Sequence, residues 1–291
     1  MSTSTENIAV SSEEMEADEY YTYVEGVGNI PRNIYKYVKS DPLGDLPRYS
    51  IHIVIQHFIT FVTFLILSAT GLTLHFADLW WAPIMMKLFG GPDMARLIHR
   101  IAAAWMVFAS VYHLCTIIGG TIHKIMKKKF DIQRTQIPLI KDAQDIVHDI
   151  KYFMGKERHR PKMNKFMYKQ KLHYLAILWG TFVLVAAGSI LLFPETMATI
   201  WPDPQFAQDL ARLMHADEAI MAITVIVFWH WSNVHLVPGR FPLQWSFLTG
   251  KITREHQIEE HFLEYLNNLN EIPEEKEYMK KILKDKGFDT N

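Results

Sequence analysis

The chain has 291 residues, of which 49% are hydrophobic, and its formal net charge is only −1. This balance gives no basis for nucleic-acid binding. The single cysteine, Cys115, excludes an internal disulfide framework, a CxxCH attachment site for c-type haem and a four-cysteine iron–sulfur cluster. Any redox centre must therefore use histidine. Residues 1–25 are acidic and rich in Ser and Thr, without the apolar core of a secretory signal peptide.

Four segments carry little charge and are long enough to cross a bilayer, which takes ~20 apolar residues. They are residues 51–76, 97–118, 172–193 and 215–236. The sequence therefore predicts an all-α protein whose residues 49–240 form an integral membrane four-helix bundle. A soluble lead-in (1–48) precedes the bundle and a charged tail (241–291) follows it.

The polar stretch between the second and third spans, residues 119–171, carries fourteen Lys and Arg against five Asp and Glu. Four spans place this stretch and both termini on one side of the membrane. Because basic residues accumulate on the cytoplasmic side, we expect the loop and both termini in the cytoplasm.

Histidines recur near the two ends of the second and fourth spans. His215 and His230 are fifteen residues apart, which on an α-helix is roughly 22 Å along the axis and about 60° around it. His99 and His113 are fourteen apart, about 40° short of four turns. Each helix could therefore offer one imidazole near each side of the membrane, as the axial ligands of two stacked haems require.

Ionisable residues inside a span usually mark a site, although an interhelical hydrogen bond or a headgroup contact is the plainer alternative. The second and fourth spans run in the same direction, so His99 and His215 lie at one depth near the outer face. His230 lies near the inner face, where either His57 or His113 could oppose it. Two imidazoles on one iron leave no open position, which suits electron transfer. The predicted core is thus a dihaem b core.

The remaining histidines have simpler explanations. His52, His75 and His235 are predicted to be interfacial, and His173 opens the third span within a basic cluster. Those predicted to be solvated surface histidines are His123, His148, His159, His256 and His261. Cations that could pair with haem propionates or simply flank the spans are Arg48, Arg96, Arg100, Lys124, Arg212 and Arg240.

The segments IQHFITFVTFLILSATGL, LIHRIAAAWMVFASVYHL and KQKLHYLAILWGTFVLVAAGSILLF, with the His215–His230 span ending in WSFLTGKITREH, carry a family likeness. Together they resemble the membrane cytochrome b subunits of respiratory formate dehydrogenases and Ni-hydrogenases. The likeness covers about residues 45–265 and is greatest to the branch associated with multihaem c-type cytochromes. It implies His57, His99, His215 and His230 as axial ligands of two b haems, with the role of His113 open.

The resemblance also implies exchange of electrons with menaquinone or ubiquinone, with contacts expected at Asn164, Gln170 and Asn233. The partner would be a redox subunit: a multihaem cytochrome c, an iron–sulfur protein or a molybdopterin protein. The expected location is the cytoplasmic (inner) membrane of a bacterium or archaeon. The leading hypothesis is thus an electron-transfer subunit between the quinone pool and a partner protein, with no substrate site of its own.

Two other functions compete with it. A membrane di-iron oxygenase or desaturase also clusters histidines at the cytoplasmic ends of spans. The pairs that could serve here, His230 with His235 and His256 with His261, are five residues apart, which is wider than the HxxxH and HxxHH groupings of such enzymes. A non-redox membrane anchor would use its histidines for helix contacts alone.

Overall fold

The computed structural model describes residues 21–237 and 241–288. Within these ranges the chain is mostly helical, as the sequence predicts. It forms two compact units. The first, called the membrane unit below, comprises residues 46–131 and 171–252; the second, the tail unit, comprises the described parts of 1–45, 132–170 and 253–291.

The α-helices are, in chain order, α1 (Ile51–His75), α2 (Ala82–Leu88), α3 (Pro92–Met126), α4 (Ile140–Phe153), α5 (Tyr168–Leu192), α6 (Pro194–Ile200), α7 (Pro204–Thr224), α8 (Ser232–His235), α9 (Ser246–Thr249), α10 (Arg254–Glu260), α11 (Phe262–Glu271) and α12 (Pro273–Asp285). A 3₁₀ helix spans Arg32–Tyr37, another spans Ile132–Arg134, and a π-helix spans Val225–Trp231.

Three of the described helices are long and apolar enough to cross a membrane: α1, α3 and α5. At most 17% of the most apolar window of each is buried in the protein, so their apolar side chains are left for lipid. The second helix is longer than its predicted span, 97–118. It starts at Pro92, a favourable first helical residue, and passes through Gly119 and Gly120 to Met126.

The fourth predicted span, 215–236, has a more complex structure. Helical turns run without a break from Pro204 to His235, but regular α-helix ends at Thr224 and the π-helix Val225–Trp231 follows. The regular part, α7, contains Asp209, Arg212, Asp217 and Glu218, so it is less apolar than α1, α3 or α5. A fourth crossing, and with it the four-helix bundle, therefore stays a prediction.

Helices α1 and α3 pack against each other in antiparallel directions along a seam of small and polar residues. On α1 the buried residues Gln56, Thr63 and Thr70 recur every seven positions. On α3 the buried residues are Ala95, Ala102 and Ala109, at the same spacing. Small side chains let membrane helices approach closely, and a seven-residue repeat keeps one face of each helix turned towards the other.

Short antiparallel strands add a small β component that the all-α prediction omits. Strand β1 (Tyr21–Val24) pairs with β2 (Gly28–Pro31) in the tail unit, and β3 (Leu46–Pro47) pairs with β4 (Lys251–Ile252) in the membrane unit. The β1–β2 connection contains Gly26 at a φ of +69°, a conformation that glycine adopts without strain. These strands are too short to show an apolar alternation in the sequence.

The tail unit has its own hydrophobic core. Its fully buried side chains come from β2, the first 3₁₀ helix, α10, α11 and α12: Ile30, Ile34, Ile258, Phe262, Tyr265, Leu269, Met279 and Leu283. Helix α4 lies in the same unit. Its Asp149, only 1% exposed, accepts hydrogen bonds of 2.8 Å from Arg160 Nε, Arg160 Nη2 and the Tyr168 hydroxyl.

Candidate functional site

Two predicted ligands, His99 of α3 and His215 of α7, lie face to face in the membrane unit. Their ring centroids are 6.3 Å apart with 68° between the ring planes. Each Nδ1 has a protein partner: that of His99 lies 2.9 Å from the Thr70 hydroxyl, and that of His215 lies 3.1 Å from the Leu184 carbonyl oxygen. These hydrogen bonds orient both rings and leave the Nε2 atom of each as the ligand atom.

The spacing fits two imidazoles that share one metal ion. With ~2.0 Å from the metal to each nitrogen and ~1.1 Å from the nitrogen to the ring centre, the two centroids are about 6.2 Å apart. The 6.3 Å between His99 and His215 agrees with this value. The hydrogen-bonded Nδ1 atoms also match the usual environment of metal-ligating histidine, whose second nitrogen bonds to a protein oxygen.

Two glycines lie directly against these rings. A Cβ atom on Gly71 of α1 would be 3.2 Å from Cε1 of His99, and one on Gly188 of α5 would be 3.1 Å from Cε1 of His215. Both separations are shorter than ordinary van der Waals contact, so a Cβ atom at either position would require the imidazole to shift by a few tenths of an ångström. Each ring is therefore held by a hydrogen bond and lies against the backbone of a glycine on a neighbouring helix.

A second histidine pair, His57 of α1 and His230 of the π-helix, shows similar spacing. The centroids are 6.5 Å apart, with 39° between the planes, and Phe247 lies against His57 at 5.6 Å. The π-helix changes the direction in which His230 points, because π turns are wider than α turns. Such turns often occur at functional sites. The angle of about 60° expected from an ideal α-helix therefore does not apply between His215 and His230.

His113, the alternative partner for His230, has both ring nitrogens engaged. Its Nδ1 lies 2.9 Å from Oε1 of Gln56, and its Nε2 lies 3.1 Å from the hydroxyl of Tyr174. Gln56 also donates to the Thr116 hydroxyl at 2.7 Å. His113 thus belongs to a polar network that joins α1, α3 and α5, and His57 is the histidine that faces His230.

One histidine near this second pair was not among the predicted site residues. His173 of α5 stacks on His230 with centroids 4.9 Å apart and 9° between the planes, too close to share a metal ion. Its Nε2 is buried and has no hydrogen-bond partner. The sequence places His173 only at the start of the third span. Nothing in its spacing from His230, which lies on another helix, indicates the stacking.

The three histidines predicted to be interfacial all contact protein groups. His52 Nδ1 lies 2.7 Å from the Tyr112 hydroxyl, His75 packs edge-on against Phe76, and His235 Nδ1 accepts a hydrogen bond from the Gln244 amide.

Among the candidate propionate partners, Arg96 and Arg212 form ion pairs on their own helices, with Asp93 and Asp209. Arg240 lies outside the described residues.

The predicted quinone contacts do not come from one compact unit. Asn164 and Gln170 belong to the tail unit, where their side-chain oxygens accept hydrogen bonds from the backbone amides of Lys165 and Met167. Asn233 belongs to the membrane unit and donates to the Trp229 carbonyl at 2.7 Å. A quinone contact at these three residues stays a prediction.

One prediction among the remaining histidines is wrong. His261, expected on the solvated surface, is fully buried. Its Nδ1 lies 2.9 Å from the Asn164 carbonyl oxygen. Burial follows from the tertiary packing, since His261 lies between α10 and α11, whose apolar faces form the core of the tail unit.

No known family profile matches the chain. It is similar to the "formate dehydrogenase, nitrate-inducible, cytochrome b556(Fdn) subunit" of Escherichia coli K12 and to the proteins of the same name from Escherichia coli O157:H7 and Shigella flexneri. The identity is 22% over 205 residues, covering 70% of this chain and 83% of each relative. With the apolar helices, this distant similarity supports a membrane protein related to the cytochrome b subunits.

Proposed function

We propose that this chain is the haem b membrane subunit of a respiratory oxidoreductase, and that it transfers electrons between the membrane quinone pool and a partner redox protein. The observation that carries the proposal is the presence of two opposed histidine pairs, with ring centroids 6.3 Å and 6.5 Å apart. Both distances match two axial imidazoles on one iron. The similarity to a cytochrome b subunit gives independent support.

In this proposal His99 and His215 hold one b haem, and His57 and His230 hold the other. Bound there, the two haems would carry single electrons across the membrane. The protein fixes the ligands beforehand: Thr70 and the Leu184 carbonyl orient one pair, and Gly71 and Gly188 leave room beside it. With both axial positions filled by histidine, no position remains for a substrate, which suits electron transfer rather than catalysis on the iron.

His113 and His173 have supporting roles in this assignment. His113 is hydrogen-bonded at both nitrogens, to Gln56 and Tyr174, so it links α1, α3 and α5. His173 stacks on His230 and limits rotation of that ring. Neither then acts as an iron ligand.

The kind of partner that we propose comes from the similarity to named subunits. The relatives are named as subunits of formate dehydrogenase. We therefore expect this chain to work beside a redox subunit carrying iron–sulfur, molybdopterin or multihaem c centres. By the positive-inside rule we propose that the pair His57 and His230 lies on the cytoplasmic side, where a menaquinone or ubiquinone would exchange electrons with it. Asn164, Gln170 and Asn233 are the proposed quinone contacts.

Haem content of ligand variants tests the proposal. We expect a pyridine haemochrome assay on the purified chain to give two b haems, and His215→Ala and His57→Ala each to lose one. His113→Ala should retain both. His75→Ala, which replaces an exposed histidine at the end of α1, is the matched control.

The outcomes separate the competing functions. A fully folded chain without haem b would overturn the proposal. Iron without porphyrin absorption would favour a di-iron enzyme, and absence of both would favour a membrane anchor. Loss of one haem in His113→Ala but not in His57→Ala would overturn the assignment of the inner pair alone.

A further inference from the structure

Three potential metal ligands meet in the tail unit, in a part of the chain that the proposed electron path does not use. Helix α10 ends at Glu260, and His261 separates it from α11. His256, Glu260 and His261 each offer one ligand atom here, and these atoms all lie within 4.8 Å of one another. Among the residues that the structure describes, no other group of His, Cys, Asp and Glu side chains converges in this way.

The local backbone explains how residues at this spacing converge. His256 and Glu260 are four residues apart on α10, so their side chains lie on the same face, one turn apart. Residue 261 would point elsewhere if the helix continued. It leaves the helical conformation, with φ −126° and ψ 47°, and this break returns its imidazole to the other two side chains.

The distances suit a small divalent cation. With nitrogen and oxygen ligands at ~2.0–2.1 Å in tetrahedral geometry, neighbouring ligand atoms are roughly 3.4 Å apart. His256 Nε2 and Glu260 Oε2 are 3.4 Å apart. The third ligand atom lies within 4.8 Å of the other two, so it has to move by roughly 1.5 Å, within the reach of side-chain rotation.

His261 has the environment of a metal-ligating histidine. Its ring is fully buried, and its Nδ1 lies 2.9 Å from the Asn164 carbonyl oxygen. A carbonyl oxygen only accepts hydrogen bonds, so Nδ1 carries the proton and Nε2 keeps its lone pair. A backbone carbonyl on the second nitrogen is the usual outer partner of a histidine bound to zinc.

The surrounding charges favour a cation. Helix α10 carries three carboxylates, Glu255, Glu259 and Glu260, and one guanidinium, Arg254, whose charge is balanced by Asp45 and Glu275. The nearby Arg160 would repel a metal ion, but its guanidinium makes two hydrogen bonds to the buried carboxylate of Asp149, which balances its charge. Two imidazoles and one carboxylate form a ligand set typical of Zn²⁺.

We propose that His256, Glu260 and His261 form a binding site for a divalent transition-metal ion of the zinc class. Three protein ligands leave one tetrahedral position for water. The bound ion would fix the α10–α11 junction and, through the hydrogen bond from His261 to Asn164, the chain segment before α5. Because these ties join separate segments of the tail unit, the proposed role of the ion is to stabilise the fold of that unit.

Zinc binding by the full-length chain tests the proposal. The protein is purified in detergent with its haem complement, stripped with a chelator, equilibrated with zinc sulfate and dialysed against metal-free buffer. Haem must be retained, because the histidine pairs of the membrane unit would otherwise bind zinc themselves. We expect elemental analysis to find one zinc per chain, with nitrogen and oxygen ligands by X-ray absorption.

Single substitutions identify the ligands. His256→Gln, Glu260→Gln and His261→Gln should each weaken zinc binding by at least about a hundredfold, the upper end of the effect of losing an outer-shell partner. His123→Gln, at an exposed position on α3, is the matched control and should bind as the wild type does. His256→Gln and Glu260→Gln keep the test decisive if the buried His261 is needed for folding.

Haem content in the same samples separates this proposal from the proposed function, since the zinc variants should keep both haems. Failure of the wild-type chain to retain zinc would overturn the metal site. Equal zinc retention by the wild type and the His256 and Glu260 variants would overturn it as well.

Discussion

At the scale of single residues, confinement of the histidines matters as much as their number. The His99 and His215 rings each have a hydrogen-bonded Nδ1 and a glycine against Cε1. His113 is an equally prominent histidine at the other end of α3, yet both its nitrogens bond to Gln56 and Tyr174. The neighbours of an imidazole therefore decide whether it is available to a metal ion, and its position along a helix does not.

Gly188→Ala tests this confinement. The added methyl group would lie 3.1 Å from Cε1 of His215 and push the imidazole from its position. We expect haem affinity at the outer site to fall by about 10–100-fold, the range seen when the support of a metal ligand is lost. Haem titration followed by optical absorption measures it.

Gly119→Ala is the control for the helix itself. A Cβ atom there meets nothing within 4 Å, so this variant should bind both haems normally. Unchanged haem affinity in Gly188→Ala would contradict the role given to the glycine.

At the scale of elements, both units rely on polar groups that are satisfied within the fold. At the α1–α3 seam, polar residues of α1 face alanines of α3, and the hydroxyls of the buried threonines Thr63, Thr70 and Thr73 each bond to a carbonyl one turn earlier. In the tail unit, α4 is held by Asp149. Burial raises the pKa of this carboxyl, but the hydrogen bonds from Arg160 and Tyr168 outweigh that effect and hold its pKa below the ordinary value.

Because the pKa of Asp149 is low, we expect the packing of α4 in the tail unit to weaken at acid pH. A carboxyl with a lowered folded-state pKa stabilises the fold fully above its unfolded value, ~3.9, and this stabilisation disappears as the pH falls through the folded pKa. Asp149→Asn should therefore reduce stability by on the order of 2 kcal/mol at pH 7. The difference from wild type should shrink progressively below about pH 5.

Hydrogen exchange of the α4 amides in the full-length chain, corrected for the intrinsic rate at each pH, measures this effect. Lys151→Gln is a suitable control, because Lys151 is an exposed residue of the same helix. A difference between wild type and Asp149→Asn that stays constant from pH 7 to pH 3 would contradict the assignment.

At the scale of the whole molecule, segments distant in sequence form each unit. The tail unit combines residues from before the first span, from the loop between α3 and α5, and from the C-terminal end. If four spans cross the membrane, all three segments lie on the same side of it. The basic excess of residues 119–171 predicts that this side is the cytoplasm.

Reporter fusions to the full-length chain test this topology. Green fluorescent protein at the C-terminus should fluoresce, whereas alkaline phosphatase at the same place should be inactive because it needs an oxidising compartment. Alkaline phosphatase inserted into the loop at 201–203 should be active. An active C-terminal phosphatase would contradict a cytoplasmic C-terminus.

Sequence alone determined the features that depend on local composition. The apolar runs of α1, α3 and α5 identify helices that are long and apolar enough to cross a membrane, because the cost of burying charge in lipid is large wherever the run occurs. The same cost led to the prediction that His99 and His215 belong to a site, since an imidazole is rare inside a membrane span.

Only the tertiary structure decided which histidines approach one another. The preference for His57 over His113 opposite His230 depends on the widened π turns and on the side chains of Gln56 and Tyr174, which come from other helices. The stacking of His173 on His230 and the burial of His261 likewise join residues far apart in the chain. Helical periodicity fixes direction within one helix, whereas contacts between helices depend on packing that no local pattern encodes.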